Sequence, residues 1–219
     1  TSAGHYKTEG SVEAVAIVGD YAYLADGSGG LRIVDITPTS NPNSLEIGVA
    51  VNAINDFVAK DDYVYVVDSS TSYLSIYDVQ DPKVISSAVA SLPSTGTGLA
   101  LGGNYLYVTL GANGLKVLDT STGLTPGSVA QYTTSSDALA VAVAGDSAVI
   151  GLGSNGIEVV DISIPASPMQ VTTFATLLDA NQVHVSDGYA YIHDGVVGLE
   201  ILDLRDPTNI VSVYNDLAL

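Results

Sequence analysis

One hexapeptide recurs along this chain at a fixed interval, and nothing else in the sequence constrains its fold as strongly. Gly30-Leu31-Arg32-Ile33-Val34-Asp35 (GLRIVD) returns as YLSIYD at 73–78, GLKVLD at 114–119, GIEVVD at 156–161 and GLEILD at 198–203. The closing aspartates Asp35, Asp78, Asp119, Asp161 and Asp203 are spaced by 43, 41, 42 and 42 residues, so the 219 residues are five copies of one unit. Self-similarity at such a period marks an array whose units bury their faces against one another.

Each copy has the same internal order. A run of small and apolar residues opens it (12–18, 54–60, 96–102, 138–144, 181–186), with the period of two expected of strands. A two-residue turn follows: Gly19-Asp20, Asp61-Asp62, Gly103-Asn104, Gly145-Asp146 or Asp187-Gly188. Gly, Asp and Asn tolerate the positive φ that tight hairpins require. The second strand carries a tyrosine pair (Tyr21/Tyr23, Tyr63/Tyr65, Tyr105/Tyr107, Tyr189/Tyr191), replaced by Ser147/Val149 in the fourth copy. Residues at i and i+2 share a strand face, so each pair packs against a neighbouring unit. A glycine-rich hairpin leads into the signature strand, and a Ser/Thr/Pro segment separates that from a less regular fourth strand.

Hairpin-linked strands without any helical period predict an all-β chain of antiparallel four-stranded sheets. Packed face to face around an axis, five such sheets make a five-bladed β-propeller. The expected domain is single, residues 1–219, with blades near 11–51, 52–94, 95–135, 136–177 and 178–219. The signature strands and the GDYAY-type turn before them resemble the LVIVD repeat of bacterial and archaeal surface proteins. That resemblance covers essentially the whole chain and implies a propeller outside the cytoplasm; it brings no common activity. YLSIYD and the Ser147/Val149 copy depart furthest from the pattern.

Six basic against 24 acidic residues give a formal charge of −18, which repels phosphate backbones and anionic lipid. Nucleic acid is therefore not an expected partner, and no apolar run reaches the roughly 20 residues of a membrane-spanning helix. Without cysteine there is neither a disulfide nor a thiolate metal site. The chain opens at Thr1 and reads as a processed or excised piece; with its acidity and scarce lysine, the expected location is the exterior or surface of a prokaryotic cell.

The two ends overlap in kind. Gly4-His5-Tyr6-Lys7-Thr8 aligns without a gap on Ala130-Gln131-Tyr132-Thr133-Thr134, so residues 1–10 read as an extra outer-strand segment. Yet the stretch after the last signature strand, containing Val211 and Val213, occupies an outer-strand position as well. Five blades need five outer strands and six are offered. Either one segment closes the ring and the other lies on an edge, or the surplus adds to another molecule, or the piece belongs to a longer array.

The repeated aspartates read as Asx-turn residues, because every blade has one. Positions that differ between copies are more informative. The second strand ends in Asp26, Asp68 and Asp194 in copies one, two and five but in Leu110 and Leu152 in the others, which predicts an acidic rim suited to Ca²⁺. Asp56, Gln182, His184 and His193 are expected near the same rim as ligand residues. No catalytic motif stands out. The reading is a non-catalytic extracellular structural or interaction module, self-assembling through a surplus strand (His5, Tyr6, Lys7, Thr8, or Val211 and Val213), with a homo-oligomer or filament as the product. Carboxylate-based glycoside hydrolysis around Asp56 and cation-dependent ligand binding are the alternatives.

Overall fold

The structure is a computed structural model that describes residues 4–12, 14–37, 42–45, 54–81, 84–193 and 198–217. Its strands form five antiparallel four-stranded sheets, each in simple chain order. Blade 1 holds β1 Ala14–Val18, β2 Tyr21–Ala25, β3 Leu31–Asp35 and the short β4 Asn43–Ser44; blade 2 holds β5 Ile54–Lys60, β6 Tyr63–Asp68, β7 Tyr73–Asp78 and β8 Ser86–Ser91. Blade 3 comprises β9 Gly98–Gly102, β10 Tyr105–Thr109, β11 Leu115–Asp119 and β12 Gly127–Tyr132. In blade 4 these are β13 Ala140–Ala144, β14 Ser147–Gly151, β15 Ile157–Asp161 and β16 Met169–Phe174, and in blade 5 β17 Gln182–Ser186, β18 Tyr189–His193, β19 Gly198–Asp203 and β20 Val211–Leu217. The fold is a five-bladed β-propeller with four antiparallel strands per blade. The chain divides into two compact units, Thr1–Gly96 with Gly123–Thr125 and Thr97–Thr122 with Pro126–Leu219.

The predicted turns are where positive φ appears. Gly19, Gly103 and Gly145 have φ of 56°, 58° and 57°, and Asp61 and Asp187 adopt 52° and 53° at the same repeat position. All five signature aspartates close Asx turns, their Oδ1 accepting the N–H two residues on: Thr37 to Asp35 (2.9 Å), Gln80 to Asp78 (3.1 Å), Ser121 to Asp119 (2.8 Å), Ser163 to Asp161 (2.8 Å) and Arg205 to Asp203 (3.0 Å). The residue between donates its own N–H back to the first hairpin, as Ile36 does to Asp20 O and Thr120 to Asn104 O. One carboxylate thus ties the exit of each signature strand.

Packing repeats with equal regularity. Tyr23, Leu31 and Ile33 of blade 1 meet Phe57, Val64 and Val66 of blade 2. Tyr107, Leu115 and Val117 of blade 3 meet Val141, Ala148 and Ile150 of blade 4, whose Val149, Ile157 and Val159 meet Ala190, Ile192 and Leu202 of blade 5. Each of these joins the forward face of one sheet to the backward face of the next. Inner strands need small side chains for this approach: a Cβ on Gly98 would stand 3.2 Å from the Ala140 Cα, and one on Gly102 2.8 Å from Val143 Cγ1.

The inner strands begin up to two residues later than the alternation predicts, as with Ala14 for Val12 and Gly98 for Gly96. Outer strands are irregular for a shared reason: a register shift at Val117/Leu118, Val159/Val160 and Ile201/Leu202 marks a bulge at the same point of three blades. Of the two candidate outer segments, β20 pairs along β19 and completes blade 5, whereas residues 4–12 belong to no strand.

Gly103 tests the turn chemistry in isolation, since a Cβ there meets nothing within 4 Å. Gly103→Ala is expected to cost about 1 kcal/mol from the left-handed conformation alone, measured by urea unfolding.

Candidate functional site

The rim bearing the second hairpins was expected to gather carboxylates for a ligand. What stands there is a set of clamps that hold the chain as it crosses from one blade to the next. Thr8, Thr134 and Thr176 each donate the side-chain hydroxyl to the carbonyl two residues on, at 3.4, 2.6 and 2.5 Å, so the crossovers share one turn. A buried carboxylate then receives the crossover backbone.

In blade 1 the carboxylate is Asp26. It is fully buried; both its oxygens accept the Gly10 N–H at 3.1 Å, and Arg32 Nε donates to Oδ2 at 2.7 Å. Arg32 reaches on to Glu9 Oε2 at 2.8 Å. Burial alone drives the Asp26 pKa upward, but bonds from Thr8, Arg32 and Gly10 outweigh it and leave the group below its ordinary 3.8. Asp68 is buried too and caps its own hairpin: Ser70 donates N–H (2.8 Å) and Oγ–H (2.6 Å), and Thr71 Oγ1–H bonds the other oxygen at 3.0 Å. Its pKa is likewise lowered, the Ser70 and Thr71 bonds overcoming desolvation.

In blade 4, where Leu152 follows the second strand, the carboxylate comes from the signature strand. Glu158 is buried and accepts Tyr132 O–H (2.5 Å), Ser135 N–H (2.8 Å) and Ser135 Oγ–H (2.5 Å). Burial, then the neighbouring Glu158 carboxylate, push the Tyr132 pKa up. Glu200 repeats the position in blade 5 but receives only the Leu177 N–H, at 2.7 Å; its Oε1 is buried and has no hydrogen-bond partner among the described residues. The cause lies in two side chains. Phe174 stands where blade 3 has Tyr132 and Leu177 where it has Ser135, so both hydroxyl donors are missing.

Glu158 and Glu200 were not singled out from sequence, although a signal was present. The third residue of the repeated hexapeptide varies as Arg32, Ser75, Lys116, Glu158 and Glu200, and at Arg32 and Glu158 it complements the residue that follows the second strand, Asp26 or Leu152.

The remaining expected residues are dispersed. Asp56 sits at the bulge of β5, its Oδ1 accepting the Phe57 N–H at 2.8 Å. Gln182, His184 and His193 are exposed on β17 and β18, with Gln182 opposite His193 and His184 opposite Tyr191. The His184 and Tyr191 rings lie 6.3 Å apart. Asp194 lies outside the described residues. His5, Tyr6, Lys7 and Thr8 fall in the 4–12 segment, and Val211 and Val213 are exposed on β20. Among the described residues no group of three or more His, Asp or Glu is placed to hold a metal ion, and no helix is long and apolar enough to cross a membrane. A cavity of about 110 Å³ between blades 4 and 5 is walled by Val149, Val159, Val185, Leu204 and their neighbours, with no titratable side chain.

Blades clamped at their crossovers and closed by Asx turns define a propeller of the repeat class. The chain belongs to the LVIVD-repeat family: the family model for the LVIVD repeat matches residues 9–52, 96–134, 135–176 and 179–215. Blade 2, with the divergent YLSIYD, falls outside the matched segments yet has the same four strands. No curated protein matches the sequence. Among solved structures, a functionally unknown protein from Desulfotomaculum acetoxidans is similar with a TM-score of 0.76 at 12% identity, over 95% of this chain and 71% of that one. The computationally designed Ika8 protein is similar at 0.68 and 14% identity, and this chain spans only 59% of its length while 90% of this chain is covered. The designed Ika4 protein gives 0.55 and 14% identity over 68% of this chain and 89% of its own. At these identities the likeness speaks to fold.

The clamps can be tested by removing one and completing another. Asp26→Ala leaves the mostly buried Arg32 without its main partner and is expected to cost about 3 kcal/mol in urea unfolding. Because the Asp26 pKa is lowered on folding, its contribution is full above about 3.8 and fades as pH falls through the lowered value, so the variant's acid unfolding should be shallower than the wild type's. Phe174→Tyr supplies a hydroxyl where Tyr132 has one and should raise stability by about 1 kcal/mol, an increase that Glu200→Gln in the same background should diminish.

Proposed function

We propose that this protein is a non-catalytic interaction module working outside the cell, and that it associates with further copies of itself through the surplus segment that precedes blade 1. The observation that carries this reading is a surplus outer-strand segment. Residues 4–12 take the crossover turn and the Asp26 clamp yet belong to no strand, while β20 fills the outer position of blade 5. A segment with the sequence of an outer strand and no strand of its own can add to the sheet edge of another copy.

The absence of catalysis is inferred from how the carboxylates are used. Hydrolysis or cation binding needs oxygens that can reach a ligand, and those of Asp26, Asp68 and Glu158 bond the protein's own crossovers and turns. An extracellular setting agrees with the acidic surface and with the resemblance of the repeat to surface proteins.

Light scattering and electron microscopy of the full chain and of a variant lacking residues 1–9 test the reading, with and without Ca²⁺. The full chain is expected to form oligomers or filaments that the variant reduces to monomers of unchanged circular dichroism. A full chain that is monomeric in every condition rejects self-association.

A further inference from the structure

Three side chains fill the interface between blades 3 and 4 near the first hairpin, and their counterparts one repeat later surround a cavity. A Cβ on Gly102 would stand 2.8 Å from Val143 Cγ1 and 3.1 Å from Tyr107 Cε2, so the buried Tyr107 ring lies between the inner strands of the two blades. Counted from the hairpin turn, the positions of Gly102, Val143 and Tyr107 are taken between blades 4 and 5 by Ala144, Val185 and Val149. All three line the cavity of about 110 Å³, together with Ser147, which stands where blade 3 has Tyr105. The fourth copy is the one without the tyrosine pair, and the cavity is the space that its rings would fill.

We propose that this cavity binds a small neutral molecule built on a single aromatic ring, of the phenol class. Size sets the first limit. An engineered apolar cavity of about 150 Å³ stays dry and takes up benzene, so a cavity of about 110 Å³ holds one ring and excludes a bicyclic one. The walls set the second. Among the lining side chains only Ser147 is polar and none is charged, so an ionised ligand would lose its water without gaining a partner. A lone hydroxyl also serves a trapped water poorly, since buried water needs about two to four polar partners. Val149 and Val159 form a buried floor while Ala144 is exposed, which leaves the guest a way in from solvent. A planar ring is favoured over a saturated one because the same strand positions enclose a tyrosine ring one interface earlier. The site lies wholly within blades 4 and 5 and does not draw on the segment assigned to self-association.

The test is saturation-transfer NMR on the full chain with p-cresol, which is the tyrosine side chain as a free molecule. The method observes the small ligand and works on a protein of any size, so its outcome does not depend on whether the chain self-assembles. Saturable p-cresol binding in the millimolar range is expected, with 4-methylcyclohexanol and the charged 4-methylbenzoate each binding more weakly. Val149→Tyr puts the ring back and should abolish binding while raising the urea midpoint. Val149→Leu adds one methylene to the floor and should weaken binding by about tenfold or more, which keeps the test decisive if the tyrosine variant does not fold. Wild-type protein without saturable p-cresol binding, binding that Val149→Leu leaves unchanged, or equal affinity for 4-methylcyclohexanol overturns the proposal.

Discussion

The structure depends on the requirement that a sheet with two apolar faces must have a neighbour on each. In blade 4, Ala148, Ile150 and Val160 are buried on one face and Val149, Ile157 and Val159 on the other, so the blade has no side to offer water. Burying six such side chains is favourable only if both neighbours are in place, at about 1.5–3 kcal/mol for each large aliphatic group. Repetition solves the problem, because the forward faces of blades 1, 3 and 4 match the backward faces of the blades that follow them. Tyrosine suits the second strand because its ring fills the width of the packed face while its hydroxyl stays near the polar first hairpin. Burial accordingly pushes the Tyr107 pKa up to about 12.

A second constraint acts at the crossovers. Each blade change brings extended backbone over the rim, where N–H groups lose the ladder and need acceptors. Carboxylates meet that need strongly, because an ionised acceptor bonds an N–H more tightly than a neutral one. The protein delivers the carboxylate from either of two places, Asp26 just after β2 or Glu158 within β15, and both reach the same kind of crossover. In blade 1 the added Arg32 neutralises a charge that burial would otherwise oppose. An acidic composition is thus partly a record of backbone capping.

The repeat made the architecture readable from sequence almost in full. Five evenly spaced aspartates, positive-φ turn residues and strand alternation specify the sheets, and the Asx turns at Asp35, Asp78, Asp119, Asp161 and Asp203 follow from their place before Ser, Thr and Pro. The rim was less legible. Sequence shows which residues differ between copies, but whether an odd aspartate faces solvent or receives a crossover depends on where the chain from the preceding blade passes. Asp26 is therefore engaged by Gly10, sixteen residues earlier, through a hydrogen bond that no local pattern announces. Residues 4–12 are a similar case: their likeness to an outer strand is real in sequence and in the Thr8 turn, but strand pairing needs a vacant edge, and β20 occupies that of blade 5.

The unequal clamps also bear on how the chain yields to force. Tension applied along the backbone is resisted blade by blade, and each rupture releases about 42 residues, on the order of 140 Å of contour. The junction between blades 3 and 4 is bolted by three hydrogen bonds onto Glu158, whereas Glu200 offers the junction between blades 4 and 5 a single one. Phe174 and Leu177 thereby leave the crossover into blade 5 the more weakly fastened of the two, and under tension the difference lies in two hydroxyl groups.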